Sequence, residues 1–390
     1  MNNIEPVAVV GAKRTPVGRF GGALASFSAV SLGEIAAKEA VKQSKVPIES
    51  ISLSVFGQVL QAGSGQNPAR QVALGSGMNQ SSSAFTVNMV CGSGLKAVYL
   101  ASNAIRFGGH QIVLAGGIES MSNAPYYCKK TRWGIGYGNM FLEDGMLADG
   151  LTDAYSKKHM GEAAEWVAEK YKISRKNMDE YAYSSHVKAI EKKNSLKSEI
   201  TPITIGSKVL DCDEGPRETS VEKLSSLKPV FKKGGSVTAG NSSSINDGGA
   251  AVVLASKKAV KEMGLKPLCW IREGVDGGVA PKEVLMSPLS VFENLKNTTN
   301  FTVKDFGIIE INEAFACQMV ALQRKLEVDE GKLNPLGGAI SLGHPIGCSG
   351  ARIAVSLASQ LKNSEKELAF GTLCLGGGNG TGLIFQRSLD

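Results

Sequence analysis

Four short segments carry side chains suited to covalent and proton-transfer chemistry. In NMVCGSG (88–94), Cys91 closes an apolar run and opens a glycine-softened helix. A thiol there faces unpaired N–H groups and the positive end of a helix dipole, which favour thiolate and suit a nucleophile. The position equally suits a small hydrophobe packed under a helix. In SLGHPIGCSGAR (341–352), His344 stands between Gly343 and Pro345, so a fixed turn holds the imidazole as a general base or oxyanion donor, or as a structural histidine. Pro345 argues against one helix presenting His344 and Cys348 as a metal pair, and no metal is expected. In TLCLGGGNGTG (372–382), a strand carries Cys374 into five glycines between 376 and 382. A hairpin needs one or two, so five point to main chain that approaches a ligand or offers it N–H groups. In INEAFA (311–316), Asn312 lies between a strand and a helix, as an N-cap or as an amide that orients a water or oxyanion.

The elements that position these residues follow from apolar periodicity. Strands are expected at 7–11, 53–57, 84–90 and 112–117, with helices at 31–43, 66–75 and 92–107 between them. From about 118 to 246 the rhythm gives way to longer loops and two polar helices, 162–172 and 176–195, which reads as an insertion. Alternation resumes with strands at 250–256, 268–274, 306–311, 339–342, 367–375 and 382–386, and helices at 313–326 and from about 348. Strands alternating with helices predict an α/β fold of parallel or mixed sheets covered by helices. CGSGLKA (91–97) and GCSGARI (347–353) echo each other, so a doubled fold places both small-residue turns near a pseudo-symmetric centre.

Composition narrows the function classes. Of the 390 residues, 46 are glycine, about 12% against a usual ~7%. The 43 basic and 36 acidic residues give +7, a mildly positive mixed surface that suits an anionic small molecule and shows no basic, aromatic-interleaved face for nucleic acid. Seven scattered cysteines without a C-x-x-C pair read as reduced cytoplasmic thiols. No apolar run is long enough to span a membrane, and no secretory leader is read at the N-terminus.

Taken together and in this order, NMVCGSG, NEAFA, GHPIGCSGAR and CLGGGNG resemble the thiolases, and the similarity runs from AKRTPVGRFGG to the last residues. DGLTDAYSKKHMGEAAEWVA and VTAGNSSSINDGGAAVV resemble the same family. The resemblance implies two similar βαβαβαββ halves in five α-β-α-β-α layers, residues 1–271 (with the insertion at about 118–246) and 272–390. It implies Claisen chemistry on acyl-CoA. Cys91 would take the acyl group, His344 would activate it, and Cys374 would be the base at the α-carbon. Asn312 would hold a water that forms one oxyanion hole with His344, and the N–H groups of Cys91 and Gly376 would form the other. By the same resemblance, His159, Met160 and Ser243 line the pantetheine channel, Arg217 lies near the nucleotide, and Phe231 and Phe315 wall the acyl pocket. No permanently bound cofactor is implied; coenzyme A and acyl-CoA enter as substrates, and a homodimer or homotetramer is expected.

Two segments depart from the family pattern. VAPKEVLMSPLSV (279–291) replaces a Met-Gly-x-Gly-Pro run, with Pro288 matching its proline, and GGGNG has Asn379 where a methionine is frequent. Both lie near the implied acyl pocket, so they bear on chain length. DGLTDAYSKKHMG and GHPIGCSGAR are more similar to short-chain biosynthetic thiolases, which implies an acetyl-CoA acetyltransferase; a longer-chain 3-ketoacyl-CoA thiolase is the alternative. A nicotinamide-dependent oxidoreductase would rest on G-x-G-x-x-A alone. A decarboxylating ketoacyl synthase would lack a cysteine at position 374.

Overall fold

The computed structural model describes residues 4–389. The first half contributes strands β1 (Val7–Arg14), β2 (Leu53–Gly57), β3 (Ser83–Val87), β4 (Ile112–Ser120) and β5 (Asn246–Ala255), with helices α1 (Ala29–Ser44), α2 (Pro68–Gly75) and α3 (Ser93–Phe107). The stretch between β4 and β5 is the predicted insertion and holds α4 (Met160–Lys170) and α5 (Arg175–Glu191). The second half contributes β6 (Cys269–Gly278), α6 (Ser287–Thr299), β7 (Ile308–Ile311), α7 (Ala316–Leu326), α8 (Ser349–Lys362), β8 (Leu368–Leu375) and β9 (Asn379–Gln386).

Pairing shows the doubling directly. In the first half β2 runs parallel to β3 and β4, β4 is antiparallel to β5, and β5 is antiparallel to β1. In the second half β7 is parallel to β8, β8 is antiparallel to β9, and β9 is antiparallel to β6. The counterpart of β3 has shrunk to a single parallel bridge, Leu333 to Ile309. The halves join where β1 and β6 pair antiparallel, with Val7 opposite Ile271 and Val9 opposite Cys269.

Side-chain alternation along each strand then sorts the core into layers. Ala250, Val252 and Leu254 of β5 pack with Leu373 and Leu375 of β8 around the central helices α3 and α8. Ala251 and Val253 face outward onto α1 and α2, and Phe370 and Ile384 face outward onto α6 and α7. Two sheet faces on a shared helical layer, with an outer helical layer on each side, make the expected five layers. Full burial of each such Val, Leu or Phe contributes roughly 1.5–3 kcal/mol. Among the described residues no helix is long and apolar enough to cross a membrane.

Small residues set the central contact. A Cβ on Gly94 of α3 would lie 2.6 Å from the backbone nitrogen of Ala351, and one on Gly350 of α8 would lie 2.3 Å from that of Leu95. The echoing CGSG and CSGA segments are therefore where the two helices touch main chain to main chain. The space beside Gly94 that a dinucleotide reading reserves for a pyrophosphate is filled by α8.

Two expectations are corrected. Residues 339–342 form a short helix, Ala339–Leu342, and not a strand; a buried apolar run of four carries no period that separates the two. α7 begins at Ala316 with Phe315 as its N-cap, so Asn312 stands outside the helix and is not its cap.

Candidate active site

Cys91 lies just beyond β3 on a turn held in an unusual conformation. Val90 has φ +47°, a genuine outlier for a β-branched residue. Local bonds hold it: Val90 N–H donates to Asn88 Oδ1 (3.0 Å), Ser93 Oγ donates to the Val90 carbonyl (2.6 Å) and Met89 N–H donates to Ser93 Oγ (2.8 Å). The turn projects Cys91 into a cleft of about 720 Å³. Although part of the residue's surface stays open to that cleft, protein crowds the sulfur, and burial pushes its thiol up to about 11; the Gly376 and Cys91 N–H groups pull the other way. Desolvation thus outweighs those two N–H groups, contrary to the expectation of a lowered value.

His344 is buried at the same cleft. Its main-chain N–H donates to Asn246 Oδ1 (2.9 Å), and its Nδ1 is 2.6 Å from Ser349 Oγ. Ser349 donates its single proton to the Pro345 carbonyl (3.0 Å), so the ring must supply Nδ1–H to Ser349. That leaves Nε2 unprotonated, its lone pair accepting from Asn312 Nδ2 at 3.5 Å. Burial, aided by Arg352, lowers the ring to about 4, so the imidazole rests neutral with Nε2 as a base. Asn312 is fully buried and its Oδ1 has no hydrogen-bond partner among the described residues.

Cys374 lies near the end of β8, on the strand face opposite Leu373 and Leu375, and takes a hydrogen bond from Gln318 Nε2 (3.4 Å). Burial, reinforced by nearby Cys91, raises its thiol far above the usual range. Once deprotonated, such a thiol is a strong base. Gly376 brings its N–H to the Cys91 sulfur.

His159, Met160, Phe231, Ser243 and Phe315 also line the cleft. Phe231 stacks on His159 (centroids 4.8 Å) and meets Phe315 edge-on (6.3 Å). Arg217 is not among the lining residues; it is exposed beside a separate pocket, its N–H 3.4 Å from His186 Nδ1. From the atypical 279–291 segment Val284 and Leu285 reach the cleft, while Met286 is buried beneath it.

Several supporting residues were missed from sequence. Ser349 lay inside a motif already singled out, five positions after His344. Gln318 lies in the first turn of α7, just past NEAFA. Glu119 had a clearer signal, a carboxylate inside the apolar strand IVLAGGIES. It is fully buried and accepts N–H groups from Val59 (3.1 Å), Leu60 (3.3 Å) and Gly347 (2.9 Å), tying the turn after His344 to the loop after β2.

Comparison with known proteins places this arrangement. The thiolase N-terminal domain family matches residues 7–258 and the thiolase C-terminal domain family matches residues 265–387. The chain belongs to the thiolase family. It is 46% identical over 385 residues to an acetyl-CoA acetyltransferase of Yarrowia lipolytica, covering 97% of this chain and 96% of that one. The crystal structure of human mitochondrial 3-ketoacyl-CoA thiolase in complex with CoA superposes with a TM-score of 0.96 at 38% identity, over 99% of each chain. That of the Bacillus anthracis acetyl-CoA acetyltransferase gives 0.94 at 38%, over 99% of this chain and 100% of that one.

Proposed function

We propose that this thiolase condenses two acetyl-CoA into acetoacetyl-CoA and CoA, and runs the reverse thiolysis, as an acetyl-CoA C-acetyltransferase. The observation that carries the reading is one cleft that holds Cys91, neutral His344, Cys374 and the Gly376 N–H. In the first half-reaction His344 Nε2 takes the Cys91 proton as sulfur attacks the thioester carbon. The tetrahedral intermediate then expels CoA thiolate, which regains that proton, and leaves acetyl-Cys91. In the second, Cys374, its own thiol proton passed to neutral His344, removes an α-proton from a new acetyl-CoA. The resulting enolate attacks the acetyl-Cys91 carbonyl, and collapse releases Cys91 thiolate, which takes the proton back from His344.

Two oxygens gain charge in this sequence, so two sets of donors are needed; losing one such donor typically costs about 10²–10³ in rate. The Cys91 and Gly376 N–H groups suit the acyl-cysteine oxygen. His344, with a water held by Asn312, suits the thioester enolate, and the unpartnered Asn312 Oδ1 supports that role. His159, Met160 and Ser243 are assigned to the pantetheine arm, Phe231 and Phe315 to the acyl group, and Arg217 to the nucleotide end. A cytoplasmic homo-oligomer completes the reading, with the halves divided in the link between β5 and β6 and not near residue 271, which lies inside β6.

Incubation with labelled acetyl-CoA, acid quench and peptide mapping should put label on Cys91. Cys374→Ala should still acylate but lose condensation by at least ~10²-fold, because only the second half-reaction needs that base. Folded protein without label overturns the mechanism.

A further inference from the structure

Gln318, in the first turn of α7, is fully buried, and its amide touches both Cys374 and Asn312. Nε2 lies 3.4 Å from the Cys374 sulfur and 3.4 Å from the Asn312 carbonyl oxygen, while Oε1 accepts the Phe315 N–H at 3.4 Å. Only this orientation pairs every atom. Turned over, the amide would set Nε2 against the Phe315 N–H, donor on donor, and Oε1 against the Asn312 carbonyl, acceptor on acceptor. The start of the helix therefore fixes which end of the side chain meets the sulfur. Asn312 N–H in turn donates to the Thr372 carbonyl (3.1 Å), which ties the loop before α7 to β8 and holds the amide at its distance from Cys374.

The bond to sulfur changes strength as Cys374 works. A neutral thiol is a weak acceptor, whereas a thiolate is charged, and charge-assisted hydrogen bonds are about twice as strong as neutral ones. Burial withholds water from this sulfur and nearby Cys91 disfavours its charge, while Gln318 acts in the opposite sense.

We propose that Gln318 is a catalytic residue of the second half-reaction, its amide holding the Cys374 thiolate more tightly than the thiol. It thereby favours the step in which the Sγ proton passes to His344 Nε2 and the electron pair stays on sulfur, ready to take the α-proton and leave the charge on the enolate. The proposal rests on the reading of Cys374 as the base.

Gln318→Met keeps the length of the side chain and removes the donor. Labelled acetyl-CoA should acylate Cys91 of this variant within about twofold of the parent rate, while condensation falls about ten- to a hundredfold. Cys91 and Cys374 are the two thiols that line the cleft, so a Cys91→Ser background isolates the second. There, iodoacetamide alkylation of Cys374, read by peptide mapping, should be half-maximal about one pH unit higher or more once Gln318→Met is added. His159 and His344, the other titratable groups on the cleft, are the same in both proteins compared. Unchanged condensation overturns the proposal, and so does an equal loss of acylation and condensation. Slower condensation with the alkylation midpoint unmoved would trace the effect to a displaced Asn312 and overturns it too. Should Gln318→Met not fold, Gln318→Leu must give the same split and the same shift. Condensation retained by Cys374→Ala would sink the base assignment itself; condensation lost there but kept in Gln318→Met sinks this proposal alone.

Discussion

A thiol raised to about 11 beside an imidazole lowered to about 4 rests as a neutral pair. Thiolate forms as sulfur attacks and not beforehand, so alkylation of Cys91 in the substrate-free enzyme should be half-maximal above the ~8.5 of an ordinary cysteine. Ser349 sets the tautomer that makes this possible, since it accepts Nδ1–H and leaves Nε2 unprotonated, with only the Asn312 amide against it. Ser349→Ala releases the ring, and a lost hydrogen bond of about 1.5–3 kcal/mol corresponds to roughly ten- to a hundredfold in the acylation rate. KM for acetyl-CoA should hardly move; a rate within twofold of the parent would refute the assignment. Cys91, His344, Cys374 and Asn312 were legible because nucleophile, base and amide each needed a distinctive residue type in a distinctive local context. Ser349, Gln318 and Glu119 act through other side chains across the fold, and such partners leave little mark on local sequence. Of the three, only Glu119 carried a signal that could have been read, an acidic residue inside an apolar strand.

At the scale of elements, the turn between β3 and α3 stores strain where the nucleophile is presented. A positive φ at a β-branched residue costs about 1–2 kcal/mol, and the Asn88 and Ser93 bonds hold Val90 in it. Val90→Gly should therefore raise stability in denaturant titration by up to about 1 kcal/mol, after the added freedom of unfolded glycine is offset, while acylation slows. A variant less stable than the parent would contradict this. Periodicity located α1, α3, α8 and most strands to within a few residues, since each buries one long face. It failed at 339–342, where four apolar residues fit either period, and at the start of α7, where Asn312, Glu313 and Ala314 are buried without being helical. Conformation at Val90 was hidden altogether, because nothing about valine announces a left-handed turn.

Across the whole molecule, two histidines kept neutral by burial make folding sensitive to acid. His344 and His186 are both lowered to about 4, the latter by burial and then by Arg217 and Arg19. The unfolded chain binds protons at these rings near pH 6.5 and the folded chain only near 4, so stability falls as pH drops through that window. His186 lines no part of the cleft, and its buried Nε2 has no partner among the described residues. His186→Gln should thus lose less stability between pH 7.5 and 5 than the parent does, with thiolysis unchanged; equal losses would refute it. The doubled plan was readable from the CGSG and CSGA echo, whereas the pairing of β1 with β6 was not, because neither strand's composition names its neighbour. That pairing carries a meaning of its own. An antiparallel contact that relates two like halves by a two-fold is what separate copies of one half would make on meeting. The chain between Ala255 and Cys269 therefore tethers what is geometrically already a complex. Cutting it near Gly264 should leave two fragments that travel together through a sizing column, held by a seam of sheet and by the shared layer of α3 and α8.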